Sequence, residues 1–91
     1  MKYELINAEE IHEENPDTFE LPREDVLNNI QKRDSVQMIF EPGERMWVTV
    51  IGIHEEGTYT GLLDSYPVMA DIEYGNVITF ERKHIIDVYK M

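Results

Sequence analysis

The chain has 91 residues, 19 of them acidic and 8 basic, giving a formal net charge of -11. That length without a single cysteine allows one domain around one core and excludes a disulfide framework or a thiolate metal site. So acidic a surface repels phosphate backbones and anionic headgroups, which disfavours ordinary nucleic-acid and membrane binding and leaves protein as the expected partner.

Hydrophobic residues make up 42% of the chain, enough for a modest core. No run approaches the ~20 apolar residues of a membrane span, and the N-terminus has no basic region followed by an apolar stretch, so a cytoplasmic location is expected. Residues 1–34 carry the most concentrated acidity. Seven acids stand in the first twenty residues against the single base Lys2. Asn7 followed by Glu10 reads as a capping pattern that opens a helix of about two turns, closed by Pro16. In "LPREDVLNNIQKRD", Pro22 suits a first helical turn and Glu24 and Asp25 suit its positive end. Lys32 and Arg33 suit the negative end, and Val26, Leu27 and Ile30 share one face, so a second helix is expected.

From residue 35 to residue 91 the pattern is β-branched and aromatic. "VQMIF", "RMWVTVIGI" and "TYTGLLD", separated by "EPGE" and "HEEG", read as three antiparallel strands. After the loop "SYPVMADIEYGN", "VITFER" and "HIIDVYK" supply two more around the corner "RKH". The fold class is therefore α+β: one or two short N-terminal helices on a strongly bent antiparallel sheet of about five strands, like an SH3-type barrel. In the second strand Trp47, Thr49, Ile51 and Ile53 point to one side and Met46, Val48 and Val50 to the other. Both sides are largely apolar, so both are expected to be covered, the outer one by the N-terminal helices.

Chemistry is sparsely encoded. The two "IHEE" tetrapeptides at Ile11–Glu14 and Ile53–Glu56 lack the second histidine of a helical zinc motif, and solvated turn residues explain them. No metal or cofactor is expected. His84 has Asp87 nearby, yet no serine stands in a nucleophile setting, so a small hydrolase using His84 and carboxylates is the weakest alternative. Trp47, Tyr59, Tyr66 and Tyr74, with Asp64 beside Tyr66, form a candidate binding surface, where an aromatic ring and a carboxylate suit a cationic side chain. A homodimer through a strand edge or the second face of the Trp47 strand is the other form this surface allows. An acidic inhibitor, immunity-like or DNA-mimic protein is a further alternative, supported by charge alone.

Phe19 and Pro22, then Arg45, Trp47 and Val48, then Gly61, Leu62 and Pro67, then Gly75 and Phe80, follow one another across Pro16 to Asp87. This pattern resembles an uncharacterised bacterial family catalogued as domain of unknown function 2314. Arg33-Asp34 stands where that family usually has Gly-Asp. The resemblance implies a fold and no established activity, in keeping with a non-catalytic interaction or accessory module.

Overall fold

A computed structural model describes residues 3–91. Two short helices, α1 (Ala8–Glu14) and α2 (Glu24–Leu27), precede five strands, β1 (Ser35–Phe40), β2 (Glu44–Ile53), β3 (Thr58–Leu63), β4 (Val77–Glu81) and β5 (Ile85–Tyr89). The strands form one antiparallel sheet in the order β4-β3-β2-β1-β5. A three-residue 3-10 turn, Arg82–His84, joins the two edge strands.

That connection dictates the shape. In a flat sheet β4 and β5 would lie about 19 Å apart across the strands, at ~4.8 Å per strand. The end of β4 is also offset from the start of β5 along β2: Phe80 lies level with Ile53 through Tyr59, and Ile85 lies level with Met46 through Met38. Seven residues of strand add about 23 Å. A three-residue 3-10 turn spans about 6 Å. The sheet must therefore curl until its opposite corners meet. The N-terminal segment helps to bring them together. Leu5 bridges to Phe40, Ile6 N–H donates to Ile39 C=O at 3.0 Å and Glu41 N–H to Glu4 C=O at 2.9 Å. The Tyr3 ring packs on Phe40, and its hydroxyl accepts from Thr79 N–H at 2.8 Å and donates to Thr79 C=O at 3.3 Å. One tyrosine thus spans from the end of β1 to the free edge of β4. The hydrogen-bonded ladder itself stays open, with β4 and β5 as its edges.

The concave side holds the core. Val36, Met38 and Phe40 of β1, Met46, Val48 and Val50 of β2, Leu63, Ile78, Phe80 and Ile85 are buried together, with Leu27, Ile30 and Ile72 packed in from outside the sheet. Each such side chain contributes roughly 1.5–3 kcal/mol by leaving water. On the convex side a smaller cluster of Ala8, Ile39 and Ile86 is covered by Ile6, Ile11, Phe19 and Leu21. The N-terminal region therefore covers the β1 and β5 part of this face. The expectation that it covers the outer side of β2 is corrected: Ile51 and Ile53 are exposed and Trp47 is half-buried. A bulge between Val50 and Gly52 also takes Ile53 out of phase with Trp47, because one extra residue reverses the alternation.

Local chemistry sets the helices. Asn7 Oδ1 accepts from Glu9 and Glu10 N–H at 3.0 and 3.2 Å, and its Nδ2 donates to Glu10 at 3.2 Å, so α1 starts where the capping pattern placed it. The second helix is much shorter than the pattern suggested. Asn29 Nδ2 donates to Asp25 C=O at 2.7 Å, occupying the acceptor of the next helical bond, while Asn29 N–H turns to Val26 C=O at 3.2 Å. The side chain competes with the backbone, and the helix stops after one turn. Arg33 then takes a positive φ of 81°, a conformation disfavoured for any residue with a Cβ.

Asp34 is the buried charged residue among the described residues. Its carboxylate accepts from Gln31 N–H at 2.8 Å and Met91 N–H at 3.3 Å, and from the Lys90 ammonium. Burial pushes its pKa up, but the Lys90 bond and the two backbone donors outweigh that and hold it below the usual carboxylate value. The strand start is thereby tied to the C-terminal end of β5.

Candidate binding surface

The loop from Asp64 to Asn76 is built outward from β2 and β3. Asp64 N–H donates to Trp47 C=O at 2.9 Å, and Trp47 N–H donates to Ser65 Oγ at 3.0 Å, so the loop leaves the sheet alongside Trp47. It returns through Gly75 N–H to Leu63 C=O at 2.8 Å and Leu63 N–H to Asn76 C=O at 2.9 Å. Gly75 takes a φ of 84° at that return, which glycine adopts without a Cβ penalty. Asn76 Oδ1 accepts from Glu73 N–H at 2.7 Å, and Ile72 is buried in the main core.

Glu44 fixes the outer half of the loop. Its carboxylate accepts three successive backbone N–H groups, those of Val68 at 2.6 Å, Met69 at 2.9 Å and Ala70 at 2.8 Å. These charge-assisted bonds favour the ionised form. The Val68 and Ala70 donors hold the Glu44 pKa below its ordinary value against the opposing effect of desolvation, with Met69 adding to them.

What this frame presents is apolar. Tyr66 is 79% exposed, Val68 89%, Met69 57% and Tyr74 53%. Tyr66 and Tyr74 stack on each other at 4.8 Å between ring centroids and 11° between planes. Their loop adjoins an unpartnered part of the convex sheet face, where Leu62 lies between Thr49 of β2 and Val77 of β4 and is exposed with Val77 and Ile51. A cleft of about 330 Å³ runs between loop and sheet, lined by Thr49, Leu62, Leu63, Asp64, Tyr74 and Gly75.

Of the residues expected at a binding surface, Tyr66 and Tyr74 come together, Asp64 lines the cleft beside Tyr74, and Trp47 holds the loop through its backbone. Tyr59 lies elsewhere: its ring stacks on Phe80 at 5.3 Å and packs against the main core. The phase of β3 explains it, since Tyr59 shares its face with Gly61 and Leu63.

The histidines are engaged in local structure. His84 Nδ1 accepts from Glu81 N–H at 3.0 Å, and the Glu81 side chain accepts from the His84 backbone in return. His84 and Asp87 share no hydrogen bond among the described residues, and Asp87 Oδ1 accepts from Val88 N–H. Burial lowers the His84 pKa, Glu81 and Glu9 pull it up, and Lys83 pushes it down, for a net depression. His12 Nδ1 lies 2.6 Å from Phe19 C=O, to which it donates, and His54 Nε2 lies 2.7 Å from Thr60 Oγ1. Neither "IHEE" copy gathers with other ligands, and no group of three or more metal-binding side chains forms among the described residues.

No family model, curated protein or solved structure matches the chain. Its functional reading therefore stands on its own residues. Two features of this surface were not legible in the sequence. Val68 and Met69 sit in a proline-containing loop whose apolar pair gave no periodic signal, and Glu44 in "EPGE" read as a turn residue. A cue existed only for the first, an apolar dipeptide in a loop, because a solvent-facing Val-Met is unusual unless something holds or covers it.

A second cleft, of about 420 Å³, opens between the segment after α1 and the sheet, lined by Asp17, Thr18, Phe19, Glu20, Gln37, Arg45, Ile86 and Asp87. The Arg45 guanidinium lies over the Phe19 ring at 5.9 Å, within cation–π range. No helix among the described residues is long and apolar enough to cross a membrane.

Proposed function

We propose that this chain is a non-catalytic protein-binding or accessory module, acting in the cytoplasm, whose contact surface is the Asp64–Asn76 loop with the adjoining sheet face at Trp47, Leu62 and Val77. The observation that carries this reading is the Glu44 clamp. Three charge-assisted bonds and a stacked tyrosine pair hold four large apolar side chains in water. Ordering exposed apolar groups gains nothing for a chain that stays alone, whereas a surface already ordered binds without the entropy loss of ordering it.

The curled sheet, its 3-10 turn between the last two strands and the Tyr3 bridge support an SH3-like barrel. They fit the fold implied by the resemblance to domain of unknown function 2314, as does the glycine-like backbone at Arg33, where that family usually has glycine. The partner is a protein, either a different chain or a second copy bound through the same surface.

A photo-crosslinking amino acid at Val68, compared with one at Glu13 on α1, tests this in cells that express the chain at its native level. Adducts from Val68 and none from Glu13 are expected, and an adduct of twice the chain mass identifies the homodimer. Absence of adducts at Val68, or equal yields at both positions, refutes the surface.

A further inference from the structure

Between Arg45 and Arg82 the chain contains no lysine or arginine, while Asp64, Asp71 and Glu73 stand on the loop within that span. The whole exposed loop lies inside it. The two flanking cations are engaged elsewhere: Arg82 pairs with Glu24 and Asn28, each at 2.5 Å, and Arg45 rests on Phe19. Asp64, which lines the cleft with Tyr74, has no hydrogen-bond or ion-pair partner for its carboxylate among the described residues. An exposed aromatic and aliphatic surface in such a field fits a cationic partner, by charge and by contact.

Resting on the surface proposed above, we infer that the cleft between Tyr74 and the convex sheet face receives an arginine side chain from a basic, extended segment of a partner protein. Tyr74, backed by Tyr66, offers a ring face to the planar guanidinium. Leu62 and Thr49 line the opposite wall, where the aliphatic stem of the arginine packs. Asp64 supplies a carboxylate that accepts two guanidinium N–H groups side by side. Asp71 and Glu73 on the same loop add negative potential and set the approach of neighbouring basic residues. A cleft of about 330 Å³ accommodates one such side chain and leaves room for part of its backbone.

The test is a titration of the isotope-labelled full chain with a decapeptide of alternating arginine and glycine, followed by amide chemical shifts. Two control peptides replace arginine with citrulline, a neutral isostere, or with lysine. Saturable shifts are expected at Leu62, Asp64, Tyr74 and Gly75, absent with citrulline and weaker with lysine. Tyr74→Ala and Asp64→Asn should each raise Kd by about fivefold or more. Both residues are exposed, and an otherwise unchanged amide spectrum confirms that the variants fold. The double variant Glu55→Gln and Glu56→Gln removes more charge at the remote β2–β3 hairpin and should change Kd by less than about twofold.

Shifts centred on the acids of α1, equal weakening by the hairpin variant, or equal binding of the lysine peptide would overturn the inference. So would an absence of binding. If the arginine peptide fails while Val68 still crosslinks to a partner, the surface stands and only the cationic character of that partner falls. If the peptide binds at the cleft while Val68 yields no adduct, the binding chemistry stands and the wider loop surface falls.

Discussion

Replacing Gly61 with alanine tests a close approach of β3 to β2 in the sheet. Gly61 lies on the concave face of β3 opposite Val50. A Cβ built there falls 2.3 Å from Val48 Cγ1 and 2.7 Å from the Thr49 carbonyl oxygen, against roughly 3.5–4.0 Å for comfortable carbon contacts. Val48 is fully buried and β-branched, so it has few other rotamers to adopt. The Thr49 oxygen is backbone, and β3 is held by ladders to β2 on one side and β4 on the other. The strand must therefore shift as a unit. Alanine recovers about 0.5–1 kcal/mol of the conformational entropy that glycine loses in a strand. Overpacking costs about 1–3 kcal/mol in an average core and more where backbone is hit. The expected net loss is about 2–3 kcal/mol, or roughly 10–20 °C in Tm for a domain of this size. Urea and thermal unfolding, followed by the fluorescence of the single tryptophan, measure it. Combining Gly61→Ala with Val48→Ala should show favourable coupling of about 1 kcal/mol, a partial rescue because the Thr49 clash remains. A loss below about 0.5 kcal/mol, or strict additivity of the two substitutions, would refute the steric account.

Glu44→Ala should leave the core intact and speed hydrogen exchange of the Val68, Met69 and Ala70 amides by at least about tenfold; unchanged exchange would mean that the carboxylate does not hold the loop. Because the folded pKa of Glu44 lies below its ordinary 4.5, the clamp is present above that pH and should loosen only as pH falls through the depressed value, which the same amides report. His84 has a folded pKa below 6.5, so the unfolded chain takes up its proton first and stability should decline as pH drops beneath about 6.5. His84→Gln should flatten that decline in denaturation midpoints between pH 7 and 5, and a slope unaltered by the substitution would contradict it. Arg33→Gly should raise stability by about 0.5–1 kcal/mol, since relief of the left-handed strain exceeds the added chain entropy; a destabilised variant would show that the Arg33 side chain contributes more than its backbone costs.

Composition and alternation in this chain decided a good deal without tertiary information. The strand cores "VQMIF", "RMWVTVIGI" and "VITFE" follow from β-branched and aromatic residues between turn formers, the start of α1 from Asn7 and Glu10, and the corner at Arg82–His84 from its brevity. These are local matters, governed by backbone propensity and by hydrogen bonds between residues close in sequence. The early end of α2 was not legible: Val26, Leu27 and Ile30 with Lys32 and Arg33 pointed to a longer helix, whereas Asn29 takes the Asp25 carbonyl and ends it after one turn.

Only the folded chain decided which apolar face of β2 is the core. Met46, Val48 and Val50 and the set led by Trp47 are nearly equal in hydrophobicity, and the choice between them depends on the direction in which the sheet curls. That direction is set by residues far apart in sequence, such as Tyr3 at Thr79 and Leu5 at Phe40. The same holds for the binding surface. Tyr66 and Tyr74 were visible as residues, but their stacking depends on where Glu44 catches Val68, Met69 and Ala70, a contact across 24 to 26 positions. Alternation records which side chains share a side of a strand. It carries no information about which side closes around the core, because that depends on long-range pairing that leaves no period in the sequence.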